Sequence, residues 1–230
     1  MALYAIGDLH LSLQTNKSMD IFGSEWHDYV LRIKEGFSSL CEKDVTVLCG
    51  DISWAMELKE AKDDFLFIDQ LPGKKYILKG NHDYWWTTAQ KMQAFFDEIG
   101  VKTIKFIHNN CYFYGENAAI CGTRGWFYEQ EKGDDQDKKI MNREIGRLET
   151  SLKLAGDKDK YVFLHYPPKY GNYECTQLLE LLKSYEVKIC VSGHIHAQGL
   201  RMIFQGMYNN VLFKTVSADF VGFRPQKIME

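Results

Sequence analysis

The sequence lacks several features that would place it among membrane, secreted or disordered proteins. Its 230 residues include only four prolines, and they contain no low-complexity tract and no linker rich in Pro, Gly or Ser. No apolar run approaches the roughly 20 residues that span a bilayer. The first ten residues lack the basic start and small-residue cleavage site of a signal peptide. We therefore expect one cytoplasmic domain over residues 1–230 that does not engage a membrane.

An excess of positive charge is also missing. The chain has 28 Lys and Arg against 31 Asp and Glu, a formal net charge of −3. Proteins that bind nucleic acid usually carry a basic patch or stripe. A nucleic-acid partner is therefore not favoured, although a local patch would not alter the total.

Cysteine pairs of the C-x-x-C type are absent. The six cysteines stand at positions 41, 49, 111, 121, 175 and 190. Cys49 and Cys190 lie inside apolar, strand-like runs. Disulfides are rare in cytoplasmic proteins, so we expect buried, reduced thiols.

Short β-rich runs alternate with segments of helical period. The predicted strands are Leu3–Ile6, Val45–Cys49, Tyr76–Leu78, Ile104–Ile107, Cys111–Tyr114, Ala118–Cys121, Tyr161–Leu164, Lys188–Ser192, Met202–Phe204 and Leu212–Val216. The predicted helices are one capped by Ser24 and reaching Leu40, Glu57–Leu71, one capped by Thr87 and stopped by Gly100, Lys139–Leu154 and Thr176–Tyr185. Since helices alternate with strands only in the first third, mixed sheets with helices outside fit better than one parallel sheet.

One segment between these elements is almost entirely charged or amide-bearing. It covers residues 128–139. This composition predicts a solvated loop, with a mobile lid as the alternative.

Four of the apolar runs end in the same way. Each is followed by a glycine and then by a side chain able to bind metal: Gly7-Asp8, Gly50-Asp51, Gly80-Asn81 and Gly193-His194. Glycine accepts the tight turns and close backbone approach that a convergent site needs. Open α/β sheets bind ligands beyond the carboxyl ends of their strands. We therefore expect these polar groups to converge.

The histidines support the same interpretation. Asp8 and His10 are two residues apart, as are His194 and His196, so each pair shares one side of an extended chain. A fifth apolar run, Tyr161–Leu164, ends directly in His165. Five of the seven histidines therefore belong to these clusters: His10, His82, His165, His194 and His196. Unrelated hydrogen-bonded turns could explain one cluster but poorly explain five, so the sequence predicts a metal site.

The motifs, in order, are Gly-Asp-Leu-His, Gly-Asp-Ile-Ser-Trp, Gly-Asn-His-Asp, His-Tyr-Pro-Pro and Gly-His-Ile-His. This series resembles the calcineurin-like metallophosphoesterase superfamily, and it runs from Gly7 to His196. The resemblance implies a four-layer α/β/β/α sandwich of two mixed β-sheets flanked by helices. It also implies a two-metal site at the strand ends.

The resemblance assigns a role to each motif residue. The first metal would be bound by Asp8, His10 and His196, and the second by Asn81, His165 and His194, with Asp51 bridging both. His82 matches the family's non-ligand histidine beside the scissile ester. Ser53, Trp54 and Ala55 stand where the family more often has Asp or Arg. The group that orients His82 is therefore open, with Asp83 as one candidate.

This set of residues predicts hydrolysis of a small phosphomonoester or phosphodiester. We expect in-line attack by a metal-bound hydroxide, with protonated His82 assisting the leaving-group oxygen. Asp51 would offset repulsion between the cations, and neutral Asn81 would keep the site open to an anionic substrate. Nitrogen and oxygen ligands without thiolate suit two divalent ions of Mn, Fe, Zn or Co.

Other residues near the motifs carry weaker predictions. Arg124, between two glycines after a strand, could grip a phosphate in a bidentate manner, or it could form a surface ion pair. Five aromatic residues flank the motif turns: Trp54, Tyr84, Trp85, Trp86 and Trp126. They could stack on an aromatic leaving group, although core packing is favoured for most of them.

Two further functions are consistent with the motifs. One is a nuclease or cyclic-nucleotide phosphodiesterase that uses the same centre. The other is an interaction scaffold without catalysis, which is disfavoured because every expected ligand position and the catalytic histidine are filled. The motifs indicate neither an oligomeric state nor a particular substrate.

Overall fold

The computed structural model describes residues 1–15, 17–127 and 133–230. These residues form thirteen strands and five α-helices. The strands are β1 Leu3–Ile6, β2 Val45–Leu48, β3 Lys74–Ile77, β4 Ile104–Phe106, β5 Cys111–Tyr114, β6 Ala118–Thr123, β7 Asp159–Leu164, β8 Lys169–Tyr170, β9 Tyr173–Glu174, β10 Ile189–Ser192, β11 Gly206–Tyr208, β12 Val211–Thr215 and β13 Gln226–Met229. The helices are α1 Tyr29–Phe37, α2 Lys62–Gln70, α3 Ala89–Ile99, α4 Asp135–Leu154 and α5 Thr176–Ser184. The chain divides into two compact units, Met1–Phe106 with Val216–Glu230, and Ile107–Thr215.

The first unit is built on a five-stranded mixed sheet. Its order is β13-β1-β2-β3-β4, with β13 antiparallel and the other strands parallel. Ile6, Leu48 and Ile77 are in register at the carboxyl ends of β1, β2 and β3. The segments that follow these three strands therefore start from the same edge of the sheet.

Helices of the first unit cover this sheet with apolar stripes. Ile33 and Phe37 of α1 are four residues apart, as are Met92 and Phe96 of α3, and all four are buried in one core. A four-residue spacing places side chains on one helix face. All four residues of β2 are buried, including Thr46, as expected of a parallel strand that is covered on both faces.

The second unit has a six-stranded mixed sheet. Its order is β11-β12-β10-β7-β6-β5, and the antiparallel pairs are at its two ends. Leu164 of β7 is in register with Thr123 of β6 and Ser192 of β10. The carboxyl ends of these three parallel strands therefore share one edge. Leu148 of α4 and Leu178 of α5 are among the residues that form this unit's buried core.

The predicted architecture of two mixed sheets flanked by helices is confirmed. The strand predicted over Met202–Phe204 is wrong, because a 3₁₀ helix spans Ala197–Met202 and the strand is β11. Asn209 and Asn210, with φ of 49° and 65°, form the two-residue connection between β11 and β12. Such left-handed pairs are typical of tight hairpins, so this turn fixes where β11 lies.

Four predicted helix starts are displaced. α2 begins at Lys62 and not at Glu57, because a 3₁₀ helix spans Leu58–Ala61. α1 begins after Asp28 (φ 52°), while Ser24 lies in a separate 3₁₀ turn. α3 is capped by Thr88, not Thr87, and it ends at Gly100 as predicted. α4 begins at Asp135 because Asp134 caps it, with its side chain accepting the N–H of residue 137.

The early start of α4 corrects the predicted loop over 128–139. Residues 135–139 are helical. Residues 128–132, where a lid was the alternative, lie outside the described residues. Among the described helices, none combines the length and apolar character that crossing a bilayer requires.

The thiol prediction is confirmed for the two strand cysteines. All six cysteines lie in the described residues, where Cys49 and Cys190 are buried and Cys41 is exposed. Burial raises the pKa of the Cys121 thiol to about 12. Since the thiolate is the reactive form of cysteine, such a group is chemically inert near neutral pH.

Candidate metal and catalytic site

The first two motif turns of the first unit run side by side. The backbone N–H of Asp8 donates to the carbonyl of Gly50 at 2.9 Å, and that of His10 donates to the carbonyl of Asp51 at 2.9 Å. The side chains of all three predicted ligands are almost fully buried, and His10 Nε2 lies 3.7 Å from Asp51 Oδ2. The structure therefore brings Asp8, His10 and Asp51 together in one buried cluster.

The turn after β3 joins this cluster through Asp51. The backbone N–H of His82 donates to Asp51 Oδ1 at 2.8 Å, and the His82 and His10 rings are 5.7 Å apart. Gly80 makes this approach possible, since a Cβ there would lie 2.0 Å from Asp51 Oδ1. Asn81 and His82, between Gly80 and Asp83, are half-buried. Glycine at position 80 is therefore a steric requirement of the site.

Asp83 joins two of the three motif turns through its carboxylate. This side chain is fully buried. It accepts five N–H groups at 2.7–3.3 Å, from the backbones of Gly80, Asp51, Ile52 and Ser53 and from the indole of Trp85. A carboxylate has about four lone-pair directions, so all of its acceptor capacity is used and at least two of the five donors share one direction. Asp83 thus holds the turn that carries Asp51 against the turn that carries Asn81 and His82.

A second buried carboxylate, from α2, binds the chain just after Asp51 and the chain just after the first motif. Asp64 accepts the hydroxyl of Ser53 at 2.5 Å and the backbone N–H of Leu13 at 2.9 Å. Desolvation raises the pKa of Asp64 to about 6 despite these hydrogen bonds. Ser53, which departs from the usual family pattern, therefore has a definite structural partner.

The backbone is left-handed at four predicted ligands. These have φ of 61° at Asp8, 45° at His10, 51° at Asp51 and 72° at His194. Asp and His enter this region more readily than most residues, but each such residue still costs about 1–3 kcal/mol. Such strain concentrates at functional sites. These turns therefore place the four side chains at a cost in backbone energy.

The second unit places three predicted residues at the ends of β6, β7 and β10. The backbone N–H of His165 donates to the carbonyl of Arg124 at 3.0 Å, and its carbonyl accepts the N–H of Gly193 at 3.1 Å. The His165 and His194 rings are 4.9 Å apart, and Tyr166 packs on His194 at 4.2 Å. The structure therefore brings His165 and His194 together as neighbouring nitrogen donors.

His196 follows this pair at the start of the 3₁₀ helix. Its backbone is extended (φ −128°, ψ 165°), and its side chain is half-buried. Since His194 is left-handed (φ 72°), the chain from His194 to His196 is not extended throughout, as the two-residue spacing had assumed.

Arg124 has anionic and aromatic partners within its own unit. Its Nη2 lies 3.7 Å from Glu144 Oε1, and its guanidinium carbon lies 4.7 Å from the Trp126 ring centroid. Glu144 is buried and also accepts the Thr123 hydroxyl at 2.5 Å and Arg147 Nη1 at 2.7 Å. The ion pair considered for Arg124 is thus present, although its carboxylate is buried and not on the surface.

The five flanking aromatic residues separate into two classes. Trp85 is buried against Phe65, and Trp86 packs edge-on to Phe106. Trp54 and Tyr84 instead contact the ring of His82, with centroid distances of 4.5 Å and 6.1 Å. Core packing, favoured for most of the five, holds for buried Trp85 and for three partly buried residues that pack against a core, Trp54, Trp86 and Trp126. It does not hold for Tyr84, which is 52% exposed.

Comparisons with known proteins add independent evidence. The profile of a family described as calcineurin-like phosphoesterase matches residues 1–198. A solved phosphopantetheinyl hydrolase from Mycobacterium tuberculosis is similar, with a TM-score of 0.60, 14% identity, and coverage of 99% of this chain and 95% of that one. A protein of unknown function from Aquifex aeolicus has a TM-score of 0.52, 14% identity, and coverage of 98% and 95%. No curated protein matches the sequence. At these identities the two solved structures show a shared fold.

Proposed function

Since this chain belongs to the calcineurin-like phosphoesterase family, we propose that it hydrolyses small phosphomonoesters or phosphodiesters with two divalent metal ions. One observation carries the proposal. Three strands of the first unit and two of the second end in register and are followed by the polar residues of the family motifs. We further propose that residues 1–230 act as one catalytic domain.

The residues present fit a pair of metal ions. Their donors are carboxylate, amide and imidazole groups, which suit Mn, Fe, Zn or Co. Asp8 and Asp51 are buried carboxylates, and burying such charges is costly unless they are paired or coordinate a metal. We assign Asp8, His10 and His196 to the first ion and Asn81, His165 and His194 to the second, with Asp51 shared. When bound, such ions offset the charge of a phosphate ester and lower the pKa of water to about 7.

Side chains of the protein itself have the remaining roles in the proposed reaction. His82 donates a proton from its imidazole to the leaving-group oxygen, and its position depends on the backbone hydrogen bond to Asp51. Trp54 packs on the His82 ring and limits its rotation. Asn81 presents a neutral amide to the phosphoryl group, so that anionic substrate is not repelled.

Arg124 is the proposed phosphate-binding cation. Arg124→Ala should raise KM, or lower kcat/KM, by about 10-fold or more for every phosphoester, because a hydrogen bond to a charged group contributes about 1.5–3 kcal/mol. Steady-state kinetics on one monoester and one diester would measure this. Arg147→Ala is the matched control, since Arg147 donates to the same Glu144. An Arg124→Ala profile identical to that of the control would exclude Arg124 from the site.

Metal removal and reloading test the proposal as a whole. The purified protein, stripped with a chelator, should lose turnover, and reloading with Mn, Zn, Fe or Mg should restore it for at least one metal. Activity would be assayed against monoesters and diesters, the latter including a cyclic nucleotide and DNA. Elemental analysis should find two ions per chain. A protein that binds no metal under any loading condition, by elemental analysis and anomalous scattering, would contradict the proposal.

A further inference from the structure

Two aromatic side chains border the ring of His82 in the first unit. Trp54 stacks on His10 at 4.9 Å and also contacts His82 at 4.5 Å. Tyr84 meets the His82 ring edge-on at 6.1 Å and is 52% exposed. Both residues therefore adjoin the group proposed to protonate the leaving group.

The aromatic surface continues outward from Trp54. Phe22 lies nearly parallel to Trp54, with an interplanar angle of 7° and a centroid distance of 6.3 Å, and it is 53% exposed. Lys17 places its Nζ 4.6 Å from the Trp54 centroid. We call Trp54, Tyr84 and Phe22 the aromatic rim. Tyr84 and Phe22 supply its exposed ring surface, and Trp54 connects that surface to His82.

Tyr84 and Phe22 are not placed by burial in the core, because both rings remain about half exposed to solvent. The adjacent Trp85 is 2% exposed and packs on Phe65. The same turn therefore holds one aromatic ring in the core and leaves the ring of Tyr84 at the surface. Clustered exposed apolar groups beside polar catalytic residues mark ligand-binding surfaces. A leaving group that receives its proton from His82 must extend past His82 and therefore along its neighbours.

We propose that the aromatic rim binds the leaving group and selects phosphoesters whose leaving group is a planar aromatic or heteroaromatic ring. This inference rests on the proposed function. Flat rings suit the rim because offset-stacked and edge-to-face contacts both require a planar partner. Such stacking tolerates many ring types, so the rim selects a class of leaving group and not one compound.

A matched pair of esters tests the inference. Phenyl phosphate and cyclohexyl phosphate have leaving groups of similar size, but only the first is planar. Tyr84→Ala and Phe22→Ala should each lower kcat/KM for phenyl phosphate by about fivefold or more, which is the lower end of measured base stacking. For cyclohexyl phosphate the change should stay below about twofold. Comparing variant with wild type for each ester cancels the difference in intrinsic reactivity.

Further variants separate stacking from general apolar contact and from misfolding. Tyr84→Phe should restore the preference for the aryl ester, and Tyr84→Leu should not, because leucine lacks a ring. Phe113→Ala, at an exposed aromatic position of β5, is the matched control and should leave both esters unaffected. The thermal unfolding temperature of each variant should match that of the wild type, since the substituted rim residues, Tyr84 and Phe22, are both exposed.

The outcomes distinguish a failure of the leaving-group inference from a failure of the proposed function. If metal-loaded wild type hydrolyses both esters and the rim variants lower both equally, or neither, the aromatic rim is not a leaving-group site and the proposed function stands. Rescue by Tyr84→Leu would likewise overturn the preference for planar rings. If wild type hydrolyses neither ester nor any other phosphoester, the proposed function fails and this inference fails with it.

Discussion

His82→Asn should lower kcat for phosphate esters with poor leaving groups by about 10²–10⁴-fold, the range typical of losing a general acid. The side chain would be removed without disturbing the backbone hydrogen bond from residue 82 to Asp51, which does not depend on the imidazole. The loss should be small for 4-nitrophenyl esters, because that leaving group departs without a proton. A leaving-group-dependent loss separates proton donation from a general distortion of the site.

The measurement needs metal content alongside kinetics. We expect His82→Asn to retain its metals in elemental analysis while kcat falls. His27→Asn is the matched control, since its side chain is 76% exposed and its charged neighbours are two exposed aspartates. Full turnover of the His82→Asn protein on an alkyl ester, with metals bound, would remove His82 from the mechanism.

Asp83→Asn should destabilise the fold and weaken metal binding together. An asparagine offers one acceptor oxygen where Asp83 offers two, and its NH₂ group would face N–H donors. Each buried donor left without an acceptor costs about 1–3 kcal/mol. Since five donors converge on this carboxylate, we expect a loss of about 2–5 kcal/mol in the free energy of unfolding.

Two readouts test this prediction. Denaturant unfolding gives the change in stability, and metal titration below the unfolding transition gives affinity in protein that is still folded. Asp97→Asn, on the exposed face of α3, is the control and should change stability by less than about 0.5 kcal/mol. An Asp83→Asn protein with wild-type stability and wild-type metal affinity would show that this carboxylate does not hold the two turns.

The strands that carry the site could be predicted because each contains a short apolar run close to its motif turn. β2 and β6 are buried throughout, and buried strands read as continuous hydrophobic segments. The glycine and polar residue after each run marked the turn that leaves the sheet edge. β13 was missed because Gln226–Met229 has a polar start, and such short edge strands have no distinctive composition.

The hydrogen-bond partners of the motif residues could not be predicted in the same way. Asp83 accepts N–H groups from residues about thirty positions earlier, and Asp64 accepts from Leu13, which is 51 positions away. Sequence spacing predicts contacts within a helix or strand but not contacts between turns. The clusters at the strand ends followed from local patterns, whereas the carboxylates that support them required the tertiary structure.

The left-handed turns at Asp8, His10, Asp51 and His194 have an implication for engineering. Glycine adopts this backbone region without steric penalty, so replacing one of these residues by glycine could relieve local strain while deleting a donor atom. A selection that rewards heat resistance alone would then enrich thermostable, inactive chains. Directed evolution of this scaffold should therefore screen turnover in every round, because changes at these few positions that raise thermal stability would lower catalytic activity.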